Sequence, residues 1–350
     1  MDLPLLYERA RIIRELRSFF DFRQYLELDT PLLAPDLIPE SCLEVFETSW
    51  LPPLGSRQQP EKRWLIPSPE IWMKQLIARY DVNMYQICKC FRNTESRGHL
   101  HNPEFTMLEY YTMNAGYLDS LVLTEGLFNH ITNTVPGRAN SPLGLPFIRI
   151  TMEEAFCTWA GFSLFDTANA GRGAMEREAR RLGLEPASAA MDEKSAIAQL
   201  YDLIFVHTVE PSLPKDRPVA LMDYPDFVHC LAKNKNNHGK HYSAKERWEL
   251  YFNGIELANC YSEETDPAEI RRFFEEEAKL KEQNAVVKHR INYDYWKNFV
   301  HQPKNNPITD GGLPKKSGFP SCTGVALGVD RLIMAFTGNF SIENVLSFIF

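Results

Sequence analysis

The length of 350 residues, with 44% hydrophobic, 12% aromatic and 24% charged residues, is that of a globular protein with one large or two ordinary domains, and it excludes a disordered chain. The formal net charge of -8 argues against a surface that binds nucleic acid throughout, because such binding depends on clustered lysine and arginine. Seven cysteines, an odd number without a CxxC pair, fit neither a disulfide framework nor a zinc ribbon and indicate reduced thiols in the cytoplasm.

The N-terminal part of the chain predicts two helices with short strands between them. Apolar residues spaced along 4–20 form one helical stripe, and the sequence there does not have the pattern of a signal peptide. Short strands are predicted at 25–33, 43–50 and 63–66. A helix is predicted over 70–80. The chain has no run of about 18 apolar residues, so we expect a soluble protein.

Two further strands, 84–92 and 104–111, are joined by a polar loop and predict a hairpin. Because side chains alternate between the two faces of a strand, one face of the second strand carries Phe105, Met107, Glu109 and Tyr111. An acid and a phenol in line with two large apolar groups are unusual on an inward face. Glu109 is therefore either a paired structural carboxylate or part of a ligand site.

A second hairpin is predicted around Asn253-Gly254, because a type I′ turn needs positive φ at both central positions. In that register Glu249 and Glu256 lie on the same side of the ribbon, whereas Asn259 lies opposite unless a β-bulge intervenes. Two converging carboxylates favour a cation between them, and oxygen ligands favour Mg²⁺ shared with phosphate. Two exposed glutamates on a solvent face are the alternative.

The C-terminal residues predict a helix over 265–283, a Gly- and Pro-rich loop over 303–320 and a strand over 323–330. One face of this strand carries only glycine and alanine, which suits either close packing or a flat ligand against the backbone. Arg331 follows at the start of the next helix. A basic segment, 231–247, is either a local binding patch or a solvated loop.

The order of these elements favours an α+β fold. Strands outnumber the helices that crossovers between parallel strands require, so we expect a mostly antiparallel sheet flanked by helices. Neither an internal repeat nor a long linker divides the sequence. We therefore expect a single catalytic domain over 1–350.

Several of these segments resemble the motifs of class II aminoacyl-tRNA synthetases. FRNTE with HNPEFTMLEYY is similar to motif 2, and GVALGVDR is similar to motif 3. The first helix and the strand containing Pro31 are similar to motif 1, the dimer-forming element. HNPEFTMLE, and GIELAN followed by SEETD, are similar to the lysyl-tRNA synthetase branch. The resemblance spans nearly the whole chain and implies the class II catalytic domain, ATP and Mg²⁺ as cofactors, and a homodimer.

The resemblance implies a set of residues that bind the nucleotide. Catalytic roles fall to Arg92, on the α-phosphate of ATP, and to Arg331, near the outer phosphates. Phe105 would stack on adenine, and Glu249 with Glu256 would hold Mg²⁺. The full set assigned to ATP is Arg92, Glu95, His101, Phe105, Glu249 and Arg331. Glu95 stands one residue later than the glutamate of the family's motif 2.

The resemblance likewise implies residues that bind the amino acid: Glu70, Glu109, Tyr111, Asn259, Glu263 and Ala326. Glu70, with Asn259, would take the amino group nearer the carboxylate. Glu109, Tyr111 and Glu263 would grip the distal ammonium. Ala326 replaces the glycine usual in lysyl-tRNA synthetases, and its methyl would reshape the floor of the site against α-lysine. Cys260 and Tyr261 replace the Gly-Phe of the family.

The layout of the motifs narrows the resemblance to one branch. The chain begins almost at motif 1, where lysyl-tRNA synthetases place an OB-fold that reads the anticodon. This layout is similar to the truncated ligases that join (R)-β-lysine to a lysine side chain of elongation factor P. We therefore expect activation of a lysine-like amino acid as an acyl-adenylate and its transfer to elongation factor P, without anticodon recognition. Transfer to tRNA or another small acceptor, and a catalytically silent amino-acid-binding regulator, are the alternatives.

Overall fold

The computed structural model describes residues 2–94, 98–186, 191–235, 243–300 and 319–348. In these ranges the strands are β1 (Leu26–Glu27), β2 (Leu33–Ala34), β3 (Glu47–Trp50), β4 (Glu61–Leu65), β5 (Met84–Phe91), β6 (Glu104–Met113), β7 (Ile148–Thr151), β8 (Val219–Met222), β9 (Arg247–Phe252), β10 (Ile255–Ser262) and β11 (Cys322–Gly328). The α-helices are α1 (Leu3–Phe22), α2 (Glu70–Tyr80), α3 (Tyr117–Thr134), α4 (Met152–Ala155), α5 (Leu164–Asn169), α6 (Arg172–Arg181), α7 (Glu193–Ile204), α8 (Pro267–Asn284), α9 (Val329–Thr337) and α10 (Ile342–Val345). None of these described helices is long and apolar enough to cross a membrane.

The chain groups into two compact units. Unit 1 combines Met1–Ala115 with Glu264–Phe350, and unit 2 is the continuous segment Gly116–Glu263. In unit 1 the strands run in the order β1-β5-β6-β11, and β2, β4 and β3 form a small second sheet. In unit 2 the order is β10-β9-β8-β7. Within each unit one edge pair is parallel and the other pairs are antiparallel, which confirms the predicted α+β class.

In unit 1, helix α1 covers one face of the β5-β6 hairpin. Asp2 caps the helix by accepting a hydrogen bond from the backbone of Leu5 at 3.0 Å, which confirms the predicted N-terminal helix. The ring of Phe20 lies 4.9 Å from that of Tyr85 and 4.8 Å from that of Tyr110. Each of these buried rings stabilises the fold by roughly 2 kcal/mol through burial alone. Helix α1 therefore covers one face of the hairpin, and the opposite face is not covered by this helix.

The free face of unit 1 runs across β5, β6 and β11. Glu109 of β6 lies opposite Gln86 of β5 on one side and Ala326 of β11 on the other. Gly324 lies opposite Tyr111 in the same way. The long-looped hairpin, the bare strand face and the shared face of Glu109 and Tyr111 are thus confirmed. Small residues on β11 leave space above Glu109.

Helix α8 holds the segment that follows β2. Asp266 caps α8 and Pro267 is its first residue, which confirms the predicted helix. Glu277 of this helix is buried and accepts hydrogen bonds from the backbone N–H of Ser41 at 2.6 Å and from its hydroxyl at 3.0 Å. The Glu44 carboxylate accepts bonds from two successive backbone N–H groups after the helix, each at 3.0 Å. Residues 41–44 are therefore fixed at both ends.

Unit 2 contains the second predicted hairpin. Asn253 and Gly254 have φ values of 50° and 75°, and Phe252 pairs with Ile255, which confirms the type I′ register. A β-bulge lies between Glu256 and Ala258. The core of the unit packs side chains of α4, α5, α6 and α7 against β8 and β9.

The predicted strand over 25–33 is interrupted in the structure. Only β1 and β2 form, because the residues between them make other contacts: the Thr30 hydroxyl donates to the Gln86 side chain at 2.9 Å, and the Pro31 carbonyl accepts from Trp72 at 2.8 Å. Proline also lacks the N–H that a ladder requires. Residues 303–318 of the Gly- and Pro-rich loop, part of the basic segment and Glu95 lie outside the described residues.

Candidate active site

Glu109 is the central acid of the free face of unit 1. The Tyr111 hydroxyl donates to its Oε1 at 2.6 Å, and the Ser68 hydroxyl donates to its Oε2 at 3.0 Å. Glu109 is only 3% exposed. Burial, and then the negative charge of Glu70, raise the pKa of Glu109 to about 8. The acid therefore has hydrogen-bond donors but too little positive charge around it.

Glu70 begins helix α2 next to this acid. Its backbone N–H donates to the Ser68 hydroxyl at 2.9 Å, so one serine holds both the helix start and Glu109. The ammonium of Lys74 lies 2.7 Å from Oε1 of Glu70, one helical turn away. Lys74 is completely buried, at 0% exposure. A buried ammonium needs a partner, so the charge of Glu70 is balanced within the helix.

Arg92 and Phe105 lie at the loop end of the β5-β6 hairpin. The guanidinium carbon of Arg92 is 5.2 Å from the centre of the Phe105 ring, within the range of a cation–π contact. The backbone N–H of Arg92 donates to Pro103 at 3.0 Å, which fixes the start of the side chain. Its Nε is buried and has no hydrogen-bond partner among the described residues. Such a donor fits a ligand oxygen.

His101 and Arg331 meet although 230 residues separate them. Nη2 of Arg331 donates to Nε2 of His101 at 2.9 Å, so that ring nitrogen carries no proton. The neighbouring Asp330 is buried and accepts from Arg9 of α1 and from the backbone of Thr106, each at 2.6 Å. This ion pair fixes the start of α9. The structure thus brings together two residues that the sequence predicts for the outer phosphates.

Glu40 is an acid that the sequence did not single out. It precedes the fixed segment 41–44 and is partly buried. Burial, and then the charge of Glu70, raise its pKa to about 7, while the cation of Arg92 acts in the opposite direction. The only signal in the sequence is a carboxylate shortly after the segment that resembles motif 1. That signal does not distinguish it from other surface acids.

In unit 2, Glu249 is held by three donors. Its Oε2 accepts from Tyr224 at 2.6 Å and from Tyr251 at 2.7 Å. Its Oε1 accepts from Arg247 at 2.5 Å, and the guanidinium of Arg247 also lies 4.5 Å from the Tyr224 ring centre. Burial, and then the charge of Glu249, raise the pKa of Tyr224 well above its usual value, so the phenol stays a donor. The Glu249 carboxylate is therefore oriented before any ligand binds.

The β-bulge of unit 2 decides which residues share a face with Glu249. Because of it, Asn259 pairs with Glu249 and lies on the same face, as the sequence analysis had allowed. Nε of Arg247 donates to the Asn259 side-chain oxygen at 3.2 Å. Glu256 pairs with Tyr251 and shares this face too. The acids and the amide thus line one side of the ribbon.

The oxygen atoms on this face fit a magnesium ion. Oε1 of Glu249 accepts one hydrogen bond and so keeps a second lone pair, and Glu256 adds another carboxylate on the same side. Among the described residues, no three His, Cys, Asp or Glu side chains form a closed metal site. Such a partial set matches Mg²⁺, which keeps waters and shares phosphate oxygens with a nucleotide.

The remaining predicted residues lie in both units or outside the described ranges. Glu263 of unit 2 is 3% exposed, and its backbone bridges to Ala232. Glu109 and Glu263 are thus both buried, each within its own unit. Ala326 lies directly opposite Glu109. Glu95 is outside the described residues.

Four residues around these acids were missed by the sequence analysis: Ser68, Lys74, Tyr224 and Arg247. Two of them carried a signal. Lys74 follows Glu70 by four residues on a helix, and Arg247 precedes Glu249 by two on a strand, so each pair shares a face. Tyr224 and Ser68 reach their partners through the tertiary fold, and nothing in their local sequence indicates it.

The chain matches known proteins over nearly its whole length. The family described as tRNA synthetases class II (D, K and N) matches residues 4–349. The chain is similar to the elongation factor P–(R)-β-lysine ligases of Avibacterium paragallinarum, Mannheimia succiniciproducens and Haemophilus ducreyi. Each is 32% identical to it, over 348, 346 and 347 residues respectively. The matches cover 99% of this chain and 95%, 95% and 94% of the relatives.

Proposed function

Because this chain belongs to the class II tRNA synthetases (D, K and N), we propose that it activates (R)-β-lysine with ATP and transfers it to a lysine side chain of elongation factor P. The chain is an ATP-dependent ligase. The observation that carries the substrate proposal is the buried carboxyl of Glu109, with the Tyr111 phenol 2.6 Å away, on a face that β11 leaves bare. A site of this kind suits an ammonium at the end of an apolar side chain.

The first step is adenylation. The carboxylate of the amino acid attacks the α-phosphorus of ATP, the bond to the β-phosphate oxygen breaks, and pyrophosphate leaves. Arg92 donates to the α-phosphate oxygens, which gain charge in the transition state. His101 and Arg331 bind the outer phosphates and Phe105 stacks on adenine. Mg²⁺ held by Glu249 and Glu256 would supply positive charge to the phosphates.

The amino acid is selected by its positive charges. Glu109, Tyr111 and Glu263 bind the distal ammonium, and Glu70 with Asn259 approaches the other amino group. A charge-assisted hydrogen bond of this kind contributes roughly 1.5–3 kcal/mol. A site built to hydrogen-bond an ammonium rejects an analogue that lacks it by roughly 10⁴-fold. The Ala326 methyl, opposite Glu109, narrows the floor against α-lysine.

The second step is acyl transfer. The ε-amine of a lysine on elongation factor P attacks the carbonyl carbon of the acyl-adenylate, an amide bond forms and AMP leaves with the electrons of the mixed-anhydride bond. The amine loses its proton to solvent. The activated acyl group needs no nucleophile from the enzyme.

The partners and compartment complete the proposal. We propose a homodimer in the cytoplasm. All seven cysteines are free thiols in the structure, which supports a reducing compartment. Glu95 is proposed to contact adenine.

The test is a reconstituted reaction. Elongation factor P is incubated with the protein, ATP, Mg²⁺ and (R)-β-lysine, and we expect its mass to increase by about 128 Da, the value for one added aminoacyl residue. Arg92→Ala should abolish the increase by removing charge stabilisation, while thermal unfolding shows that the variant is folded. If pyrophosphate exchange depends on a lysine-like amino acid but the acylated product is found only on tRNA, the acceptor is tRNA and not elongation factor P. Absence of exchange with any lysine isomer would contradict the proposal.

A further inference from the structure

Unit 1 contains more acids near the proposed amino-acid site than one ammonium group requires. The charge of Glu70 acts on both Glu40 and Glu109. The Lys74 ammonium lies 2.7 Å from Glu70 and is completely buried. One of the three negative charges is thus balanced within the protein. Two remain for a ligand.

Glu40 is held in place without using its own carboxylate. The hydrogen bonds that fix the segment belong to its neighbours: Ser41 donates twice to Glu277, and the Lys281 ammonium donates to the carbonyl of Leu43. Among the described residues, no hydrogen bond or ion pair involves the Glu40 carboxylate. A partly buried acid on a fixed backbone, without a partner, is preorganised for a cation.

We propose that Glu40 binds the amino group nearer the carboxylate of the substrate, so that unit 1 recognises the two ammonium groups of a diamino acid through two separate acids, Glu40 and Glu109. This inference rests on the proposed function. It refines the role of Glu70, whose carboxylate is already paired with the Lys74 ammonium and contributes a further hydrogen bond to the same amino group.

The surroundings of Glu40 agree with this assignment. The segment that follows Glu40 lies beside Arg92, because the backbone N–H of Asn93 donates to the Glu44 carbonyl at 2.8 Å. Arg92, proposed to hold the α-phosphate, is also one of the charged groups that act on Glu40. The amino group nearer the carboxylate lies next to the atoms that react with that phosphate, so one ligand can contact both. The other charged groups acting on Glu40 are Glu70, Glu277 and Lys281.

The raised pKa values of Glu40 and Glu109 also agree with binding of two ammonium groups. The pKa of Glu40 is raised to about 7 and that of Glu109 to about 8, in each case first by burial and then by Glu70. Two ammonium groups from one ligand would restore the charged form of both. Binding of the diamino acid near neutral pH should therefore release protons.

The test compares three substrates in ATP–pyrophosphate exchange: 3,6-diaminohexanoate (β-lysine), 6-aminohexanoate, which lacks the nearer amino group, and 3-aminohexanoate, which lacks the distal one. We expect Glu40→Gln to raise the KM for β-lysine roughly 10- to 100-fold, the loss of one charge-assisted bond. In this variant the ratio of kcat/KM for β-lysine to that for 6-aminohexanoate should fall towards one. The corresponding ratio for β-lysine and 3-aminohexanoate should stay as in the unmodified protein. Glu109→Gln should show the reverse pattern.

A matched control and a second measurement separate binding from structure. Glu44→Gln changes a nearby acid that instead holds two backbone N–H groups, so it should lower the melting temperature and leave both preferences unchanged. Calorimetric titration of β-lysine in buffers of different ionisation enthalpy should show fewer protons released by Glu40→Gln than by the unmodified protein.

The outcomes are distinct. If the unmodified protein catalyses exchange and Glu40→Gln still discriminates fully against 6-aminohexanoate, the role of Glu40 is wrong and the proposed function stands. The same holds if Glu44→Gln changes the preference equally. If the unmodified protein shows no exchange with any diamino acid, both proposals are wrong.

Discussion

Glu109 combines deep burial with hydrogen bonds from Ser68 and Tyr111, and its titration has a measurable consequence. Its pKa is raised from 4.5 to about 8 in the folded protein. Between these values the folded protein retains a proton that the unfolded chain releases. The contribution of this group to stability is therefore present at low pH and is lost as the pH rises towards about 8.

We predict that Glu109→Gln flattens this dependence. In the ligand-free protein, raising the pH from 5 to 9 should lower the melting temperature by roughly 5 °C more than in the variant, because the amide does not titrate. Differential scanning fluorimetry across that range measures it. Parallel curves for the two proteins would show that Glu109 ionises without cost in the fold.

Ala326 gives a second prediction at the same scale. Its methyl lies across from Glu109, and Ala326→Gly removes it. We expect the ratio of kcat/KM for α-lysine to that for β-lysine to rise roughly tenfold, the typical effect of one methyl-sized change in a pocket. Val325→Ala, on the opposite face of β11, is the control and should reduce stability alone. An unchanged ratio would remove Ala326 from the substrate site.

Single residues were predictable from the sequence where local periodicity decides their position. The face that carries Glu109 follows from strand alternation, and the face that carries Glu249 and Glu256 follows from the turn. The burial of Lys74 does not follow from any local rule, because an ammonium is ordinarily exposed on a helix. Tyr224 reaches Glu249 from the residues that follow β8, so only the tertiary fold shows it.

The turn between β9 and β10 provides a prediction for an element. Gly254 has a φ of 75°, and a Cβ built there meets nothing within 4 Å, so backbone strain is the only cost of a side chain. Gly254→Ala should destabilise the protein by about 1 kcal/mol. Gly98→Ala is the matched control, since its surroundings are equally open and its φ is not positive. Chemical denaturation measures both, and equal midpoints would contradict the argument from strain.

Elements with strong local signals matched their predicted extents, and those that depend on partners did not. Helix α8 has a capping aspartate and a proline at its start, and helix α1 has a continuous apolar stripe. The strand predicted over 25–33 broke because Thr30 and Pro31 bond to other parts of unit 1. A bulge such as the one after Glu256 adds one residue without changing the pattern of residue types, which is why the side of Asn259 stayed open.

The outer face of α1 leads to a prediction about assembly. Leu3 and Tyr7, one helical turn apart, are 63% and 60% exposed. Large apolar side chains exposed together favour association, and the proposed homodimer would cover them. Tyr7→Asp should weaken self-association roughly tenfold or more, measured by analytical ultracentrifugation. Val286→Asp, at an apolar residue that is also exposed, is the control. Equal dissociation constants for both variants would place the dimer interface elsewhere.

At the scale of the whole molecule, the fold class followed from the sequence and the division of the chain did not. The number of strands relative to helices predicted antiparallel pairing, and the pairing is mostly antiparallel within each unit. The single catalytic domain over 1–350 remains a prediction. Two units could not be foreseen, because unit 1 is assembled from both ends of the chain and no linker composition marks the transitions at residues 115–116 and 263–264.

That discontinuity determines the order of events during synthesis. The ribosome completes the continuous unit, residues Gly116–Glu263, while the first 115 residues contain β5 but still lack β11, the second strand that pairs with β6. β11 begins only at residue 322. The free edge of β6 and the acids beside it therefore remain without this partner strand while about 200 further residues are translated. Slower translation of the C-terminal codons should therefore lengthen the time during which ribosome-associated chaperones can bind the N-terminal segment.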